Sequence, residues 1–150
     1  MDLCLRDNPH SILIVVPRVV LIQNWKDEFK KWGNDEYLDR VTFSTYAGLH
    51  KVPDIRGHFN CVILDEAHHV TPRVQDLLTY ITYDKIIMLS ATVKRDLKYD
   101  LIGRILRHKN PVIVIPFYKG TREEELVAKM LEDYNPQLIH TVENITDIKI

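Results

Sequence analysis

The stretch that decides the fold is Val62-Ile63-Leu64-Asp65-Glu66-Ala67-His68-His69, in which three apolar residues lead directly into two adjacent carboxylates. A continuous apolar run is typical of a strand that is covered on both faces of a parallel sheet. Open α/β sheets bind ligands in the crevice at the carboxyl ends of their strands. The stretch therefore predicts that Asp65 and Glu66 lie at a ligand site, although an acidic turn without chemistry is the simpler alternative.

Strands and helices alternate along the chain around this stretch. Ile12 to Val16 is an apolar run that ends in Pro17, and residues Arg18 to Trp32 have the spacing of a helix. Ile22, Trp25, Phe29 and Trp32 form one apolar stripe that predicts packing in the core, and Gly33 is the predicted stop of this helix. Val41 to Thr45, Cys61 to Leu64 and Ile86 to Leu89 are three further short strands. Alternating apolar strands and helices predict a parallel sheet with right-handed crossovers, which is an α/β fold.

In their order and spacing, four segments resemble conserved motifs of the superfamily-two DEAD/DEAH-box helicases. Residues Asp65 to His68 match the DEAH form of motif II, and Ser90 to Thr92 match the S-A-T of motif III. The strand ending in Pro17, with Leu21, Gln23, Trp25 and Glu28 on the next helix, resembles motif Ia, and Thr45-Tyr46 resembles the strand end that precedes motif II. The resemblance covers about Ser11 to Arg95 and implies a three-layer, RecA-like P-loop NTPase domain with a mainly parallel sheet.

The resemblance also implies roles for individual residues. Asp65 would bind Mg²⁺ through water, Glu66 would polarise the attacking water, and both would bind ATP together with His68, which links nucleotide state to domain movement. A surface imidazole is the alternative for His68, and a zinc pair with His69 lacks the helical spacing that two histidine ligands need. Ser90, Ala91 and Thr92 would couple hydrolysis to strand binding. The residues that would contact the nucleic-acid backbone are Pro17, Arg18, Ser44, Thr45 and Tyr46.

The phosphate-binding loop of these motors has no counterpart in the chain. The loop has the pattern G-x-x-x-x-G-K-[ST], and none of the five glycines precedes a lysine. The predicted sheet therefore lacks its first, P-loop strand, as in a fragment, a split protein or a degenerate descendant. ATP and Mg²⁺ are expected only in the intact motor, where a missing segment or a partner chain carries the loop. The chain is thus an ATPase by resemblance, inactive alone.

Loss of that strand would leave the Ile86 to Leu89 strand with a bare edge, which favours aggregation. A partner chain, the tail Leu138 to Ile150, or a strand at Val112 to Ile115 could cover it. We expect a partial helicase ATP-binding domain at residues 1–116, and a C-terminal helix with a tail or linker at residues 117–150. Within these parts, Thr71 and Pro72 predict the start of a helix after the two carboxylates. Further helices are predicted at Lys94 to His108 and Thr121 to Tyr134. In the last of these, Thr121 and Glu124 have the spacing of a capping box, and the inward stripe is Leu126, Val127, Met130 and Leu131.

Composition restricts the function only weakly. The chain has 150 residues and a net charge of −1, which gives no bulk support for nucleic-acid binding. Weak, local contacts to DNA or RNA are the most that charge allows. Neither a signal peptide nor a membrane span is apparent, and the two cysteines form no disulfide framework, so an intracellular protein is expected. A non-catalytic nucleic-acid-binding or protein-interaction domain derived from a helicase remains the alternative.

Overall fold

The computed structural model describes residues 1–90 and 114–149 of the chain. The chain divides into two compact units, Met1–Lys109 and Asn110–Ile150. The predicted boundary between residues 116 and 117 is not decided by this division and stays a prediction.

A four-stranded parallel sheet forms the centre of the first unit. Its strands are β1 (Ile12–Val16), β2 (Val41–Thr45), β3 (His58–Leu64) and β4 (Thr82–Met88). Their order is β2-β1-β3-β4, and every neighbouring pair is parallel. The predicted α/β fold of the RecA-like type is confirmed.

Among the described residues of this unit, three α-helices accompany the sheet: α1 (Asp2–Leu5), α2 (Val20–Lys31) and α3 (Pro72–Tyr80). The predicted stop of α2 is confirmed, because Gly33 has a φ of 68° and the N–H groups of Gly33 and Asn34 donate to the carbonyls of Lys30 and Phe29. The predicted burial of Trp32 is wrong. Its side chain is 64% exposed, because it follows the last full turn of the helix.

Two apolar layers pack on the two faces of the sheet. Leu13 and Val15 of β1 belong to one layer, whereas Ile12, Ile14 and Val16 belong to the other. Successive side chains of a strand point to opposite faces, so all five residues of β1 are buried. Full burial on both faces accounts for the unbroken apolar sequence of this strand.

Helix α3 begins as the sequence predicts. The Thr71 hydroxyl accepts a hydrogen bond from the Val74 backbone N–H at 3.4 Å, and Pro72 occupies the first position of the helix. Val74, Leu78 and Ile81 are buried against the sheet, and Leu77 is partly buried. The helix thereby covers the face of the sheet that includes Leu13 and Val15.

The second unit contains helix α4 (Arg122–Leu131). The predicted N-terminal cap is confirmed, since the Thr121 hydroxyl accepts from the Glu123 N–H at 3.3 Å. The Glu124 carboxylate, expected to bond the N–H of the cap residue, instead accepts from the Gly120 N–H at 2.7 Å. The predicted inward stripe is wrong for Leu126, which is 57% exposed, and no described residue of this helix is buried.

Several expectations fall partly or wholly on the remaining residues. The predicted helix Lys94 to His108 lies outside the described residues, as do Val112, Ile113 and Ile150. Val114 and Ile115 belong to no strand, and residues 137–149 form 3₁₀ turns at Pro136–Leu138 and Ile145–Asp147 rather than a strand. No helix among the described residues has the length and apolarity that crossing a membrane requires.

Candidate functional site

The residues predicted to form the site follow the carboxyl ends of the strands. Because all four strands are parallel, their carboxyl ends lie along the same side of the sheet, which we call the rim. The residues that leave the strands there are Pro17, Tyr46, Asp65 and Leu89. Three backbone bonds fix the segment after β3 between its neighbours. The Asp65 N–H donates to the Val15 carbonyl at 2.8 Å, the Leu89 N–H to the Leu64 carbonyl at 2.9 Å, and the Ala67 N–H to the Leu89 carbonyl at 2.8 Å.

Asp65 is held by side chains from two other elements. The indole Nε1 of Trp25, on α2, donates to Asp65 Oδ2 at 2.8 Å. The Tyr46 hydroxyl, just after β2, donates to the Asp65 backbone carbonyl at 2.7 Å. The carboxylate is half-buried, and its Oδ1 has no hydrogen-bond partner among the residues that the structure describes. One carboxylate oxygen is therefore fixed and the other is available to a ligand.

Glu66 has a left-handed backbone with φ 50° and ψ 53°. This conformation is unfavourable for a residue with a Cβ and costs about 1–2 kcal/mol, so the fold holds Glu66 in a strained position. Strain of this kind is concentrated at functional sites. The Glu66 side chain remains close to the same turn, since Glu66 Oε2 lies 3.3 Å from His68 Nδ1.

His68 connects motif II to the residues after β4. Its Nδ1 lies 3.1 Å from Ser90 Oγ and 3.3 Å from Glu66 Oε2. This one ring nitrogen thus lies within 3.3 Å of both the proposed water-polarising acid and the first residue of the S-A-T segment. Ala91 and Thr92 lie outside the described residues.

The residues predicted to contact nucleic acid are differently placed. The Arg18 side chain is exposed and makes no hydrogen bond or ion pair with any residue that the structure describes. Ser44 is only 7% exposed, and its hydroxyl donates to the Thr45 carbonyl at 3.0 Å. Thr45 Oγ1 accepts from the Gly48 N–H at 3.0 Å. The two hydroxyls therefore stabilise the turn after β2, while Arg18 is accessible to a ligand.

Tyr46, like Ser44, is only 7% exposed. Burial, and then the nearby charges of Asp65 and Glu66, raise the pKa of Tyr46 well above its ordinary value of 10.0. The phenol therefore stays protonated and remains a donor to the Asp65 carbonyl at neutral pH. This contact ties the end of β2 to the end of β3 across β1.

Sequence reasoning missed the role of Trp25. Its helical spacing with Phe29 predicted core packing, and the two rings do pack with centroids 6.5 Å apart. The indole N–H, however, reaches Asp65, which is 40 positions away in the sequence. A buried indole N–H needs an acceptor, and this requirement is the signal that could have pointed to the rim carboxylates.

The described residues contain no group of three or more His, Cys, Asp or Glu side chains that could form a metal cage. The His68 and His69 rings pack together with centroids 4.4 Å apart. Proteins usually bind Mg²⁺ through one or two carboxylates, several waters and substrate phosphates. The free oxygen of Asp65 fits such a site.

Comparison with known proteins shows the family. Residues 1–95 match the model of the family described as "Type III restriction enzyme, res subunit", which is of the superfamily-two helicase type. The chain belongs to this family. The match covers the sheet and the rim residues described above. These residues therefore belong to a motor family of the superfamily-two helicase type. Members of such families use ATP and Mg²⁺ and bind nucleic acid as intact proteins.

The chain is also similar to a curated protein, the "DNA 3'-5' translocase XPB2" of Sulfurisphaera tokodaii. The two sequences are 27% identical over 136 residues, an alignment that covers 83% of this chain. The chain spans only 29% of the length of that relative. The activity of the whole relative is therefore not established for this chain.

Proposed function

We propose that the chain is the part of the first motor domain of a DEAH-type DNA helicase or translocase that extends from motif Ia to motif III. The observation that carries the proposal is the contact of His68 Nδ1 with both Glu66 Oε2, at 3.3 Å, and Ser90 Oγ, at 3.1 Å. This contact joins motifs II and III at the ligand edge of a parallel sheet. An acidic turn without a catalytic function would not need such a contact.

Asp65 and Glu66 have separate tasks in this proposal. Asp65 would hold Mg²⁺ through water with the oxygen that Trp25 leaves free, while the Trp25 hydrogen bond fixes the orientation of the carboxylate. Glu66 would orient the attacking water, and His68, whose Nδ1 lies 3.3 Å from Glu66 Oε2, would position the Glu66 carboxylate. When bound, Mg²⁺ supplies charge neutralisation at the phosphates. Two adjacent carboxylates thus perform different functions because their partners differ.

ATP itself does not fit the residues of this chain. Backbone N–H groups and the lysine of a P-loop provide most of the grip on the β and γ phosphates, and no glycine here precedes a lysine. We infer that the chain alone binds ATP poorly. In the intact motor a segment or a partner chain with a G-K-[ST] sequence would complete the site. A coding region directly upstream that encodes such a sequence would support this inference.

DNA is the proposed nucleic acid, because the curated relative is named a DNA translocase. Arg18, exposed at the edge next to Pro17, would contact a phosphate without reading base sequence. Contacts of this type give affinity that falls with salt. They agree with a nearly neutral chain, since only local charge is needed. The proposal also keeps residues 1–116 as the motor part and 117–150 as a helix and linker.

A non-catalytic nucleic-acid-binding domain is the second candidate, and the absent P-loop favours it. The two candidates differ in whether the chain contributes to ATP turnover through Asp65 and Glu66. If the chain is part of a motor, joining it to a P-loop-bearing chain restores ATP turnover that Glu66→Gln removes. A purely binding domain would bind DNA equally well with either residue and never gain turnover.

The first test is binding of a fluorescein-labelled single-stranded oligonucleotide, followed by fluorescence anisotropy without nucleotide. We expect salt-dependent binding that Arg18→Ala weakens about 3- to 10-fold. Lys31→Ala, which removes an equal charge from the far end of α2, is the matched control and should leave affinity within about 2-fold. Absence of binding by the unmodified chain at low salt would contradict the nucleic-acid role.

A further inference from the structure

A depression of about 340 Å³ lies beside the site, between the end of β2 and the start of α3. The described residues that line it include Pro17, Tyr46, His50, His69 and Arg73, and they include no carboxylate. The charged side chain of this lining is therefore the Arg73 guanidinium.

Arg73 is the central cation of this depression. Its side chain is exposed and makes no hydrogen bond or ion pair with any described residue. It lies in the first turn of α3, which contains no acidic residue. A cation at a helix N-terminus opposes the helix dipole, so helix stability gives no reason for an arginine here. An anionic ligand would supply the missing partner.

The two histidines come from different loops. His50 lies in the 3₁₀ turn Leu49–Lys51 after β2, and His69 ends the 3₁₀ turn Ala67–His69 that follows the two carboxylates. Three elements thus bring one guanidinium and two imidazoles around the same depression. Imidazole and guanidinium N–H groups are donors that suit phosphate oxygens, and the arginine fork can bind two of them at once.

We propose that this depression binds a phosphodiester of a single-stranded nucleic acid, with Arg73 as the main contact and His50 and His69 as supporting donors. The proposal rests on the proposed nucleic-acid function and adds a second contact point to Arg18. Tyr46 belongs to both regions, since it lines the depression and donates to the Asp65 carbonyl at 2.7 Å. A bound phosphate would therefore be one side chain away from the hydrolysis carboxylates.

The test compares oligonucleotide binding by the unmodified chain, Arg73→Ala and Arg56→Ala over a range of salt concentrations. Arg56 is the matched control, because it is an exposed arginine that lies over the Tyr80 ring and does not line the depression. Arg73→Ala should weaken binding about 5- to 10-fold. The negative slope of log affinity against log salt should become shallower by about 0.7, the value for one phosphate contact on a single strand. Arg56→Ala should change affinity less than about 2-fold.

Two further outcomes separate this inference from the proposed function. If Arg18→Ala weakens binding while Arg73→Ala behaves like Arg56→Ala, the depression is not a contact and the inference fails, but the proposed function stands. If the unmodified chain does not bind the oligonucleotide, both fail.

An NMR titration of the Arg73 side chain with inorganic phosphate and with the oligonucleotide distinguishes the two possible sources of the anion. Shifts at Arg73 that saturate at lower oligonucleotide than phosphate concentration support nucleic acid. Stronger binding of free phosphate would overturn the assignment.

Discussion

At the residue scale, the hydrogen bond between Trp25 and Asp65 is the feature that best explains how the site is positioned. The indole belongs to α2 and the carboxylate follows β3, so one contact joins the two segments that resemble motifs Ia and II. Hydrogen bonds to charged groups contribute more than neutral ones, about 1.5–3 kcal/mol each. The other tryptophan, Trp32, bonds Glu28 on the exposed end of the same helix, which provides an internal comparison.

Trp25→Phe should therefore lower the free energy of unfolding by about 2 kcal/mol, because the carboxylate loses its donor and a smaller ring packs against Phe29. Trp32→Phe should lower it by less than about 0.5 kcal/mol, because that side chain is mostly in water. Urea unfolding followed by far-UV circular dichroism measures both. Equal losses in the two variants would mean that the Asp65 contact does not fix the rim.

The left-handed backbone of Glu66 leads to a second expectation. Glu66→Gly and Glu66→Ala both remove the carboxylate, but only glycine adopts φ 50° without strain. The glycine variant should thus be more stable than the alanine variant by about 1 kcal/mol. Thermal unfolding of the two variants compares them directly. An alanine variant as stable as the glycine variant would show that the strain is absent in solution.

Tyr46 predicts the response to alkaline pH. Its pKa is raised in the fold by burial and by Asp65 and Glu66, so the unfolded chain loses the phenol proton first. Stability is complete below the ordinary tyrosine pKa of 10.0 and falls as the pH rises above it.

Tyr46→Phe, although less stable at neutral pH, should show a shallower decline in unfolding free energy between about pH 9 and 11. Tyr80→Phe, at a side chain that is 59% exposed, should keep the original decline. The pH series of urea unfolding curves decides between them. An unchanged slope in Tyr46→Phe would contradict the burial of this phenol.

At the element scale, the sequence predicted strands best where they are apolar throughout. The predicted limits of β1 and β2 agree with the structure, whereas β3 and β4 begin three and four residues earlier than predicted. The additional residues include Asn60 and Asp84, whose side chains bond each other at 2.9 Å. A polar cross-strand pair can extend a sheet. Neither residue of the pair, however, indicates a strand in the sequence that surrounds it.

The N-terminus of α3 provides a test at this scale. Thr71→Ala removes the side-chain acceptor for the Val74 N–H and should lower the free energy of unfolding by about 0.5–1 kcal/mol, near the low end for such caps because the bond is long. Thr79→Ala, on the exposed side of the same helix, should change it by less than about 0.5 kcal/mol. Chemical denaturation measures the difference. A larger effect of Thr79 would contradict the assigned start of the helix.

At the scale of the whole molecule, long-range contacts are what the sequence could not predict. Lys85 of β4 donates to the Leu3 carbonyl at 2.9 Å and to the Asp7 carboxylate at 2.7 Å, and the ion pair lowers the pKa of Asp7. These contacts join residues about 80 positions apart and hold the first residues of the chain against the sheet. Motif spacing located Asp65, Glu66, His68 and Ser90 on one edge. Local patterns could not show the contacts of Trp25 and Lys85, or that Arg73 lines the depression beside Tyr46.

The central claim is that the chain carries the hydrolysis carboxylates of a motor without the loop that grips the triphosphate. The most direct measurement is release of phosphate from ATP by the purified chain with Mg²⁺ and single-stranded DNA, beside the Glu66→Gln variant. The account predicts that the unmodified chain and the variant both remain at background. DNA-stimulated turnover by the unmodified chain that disappears in Glu66→Gln would contradict it, because a complete ATP site would then exist within these 150 residues.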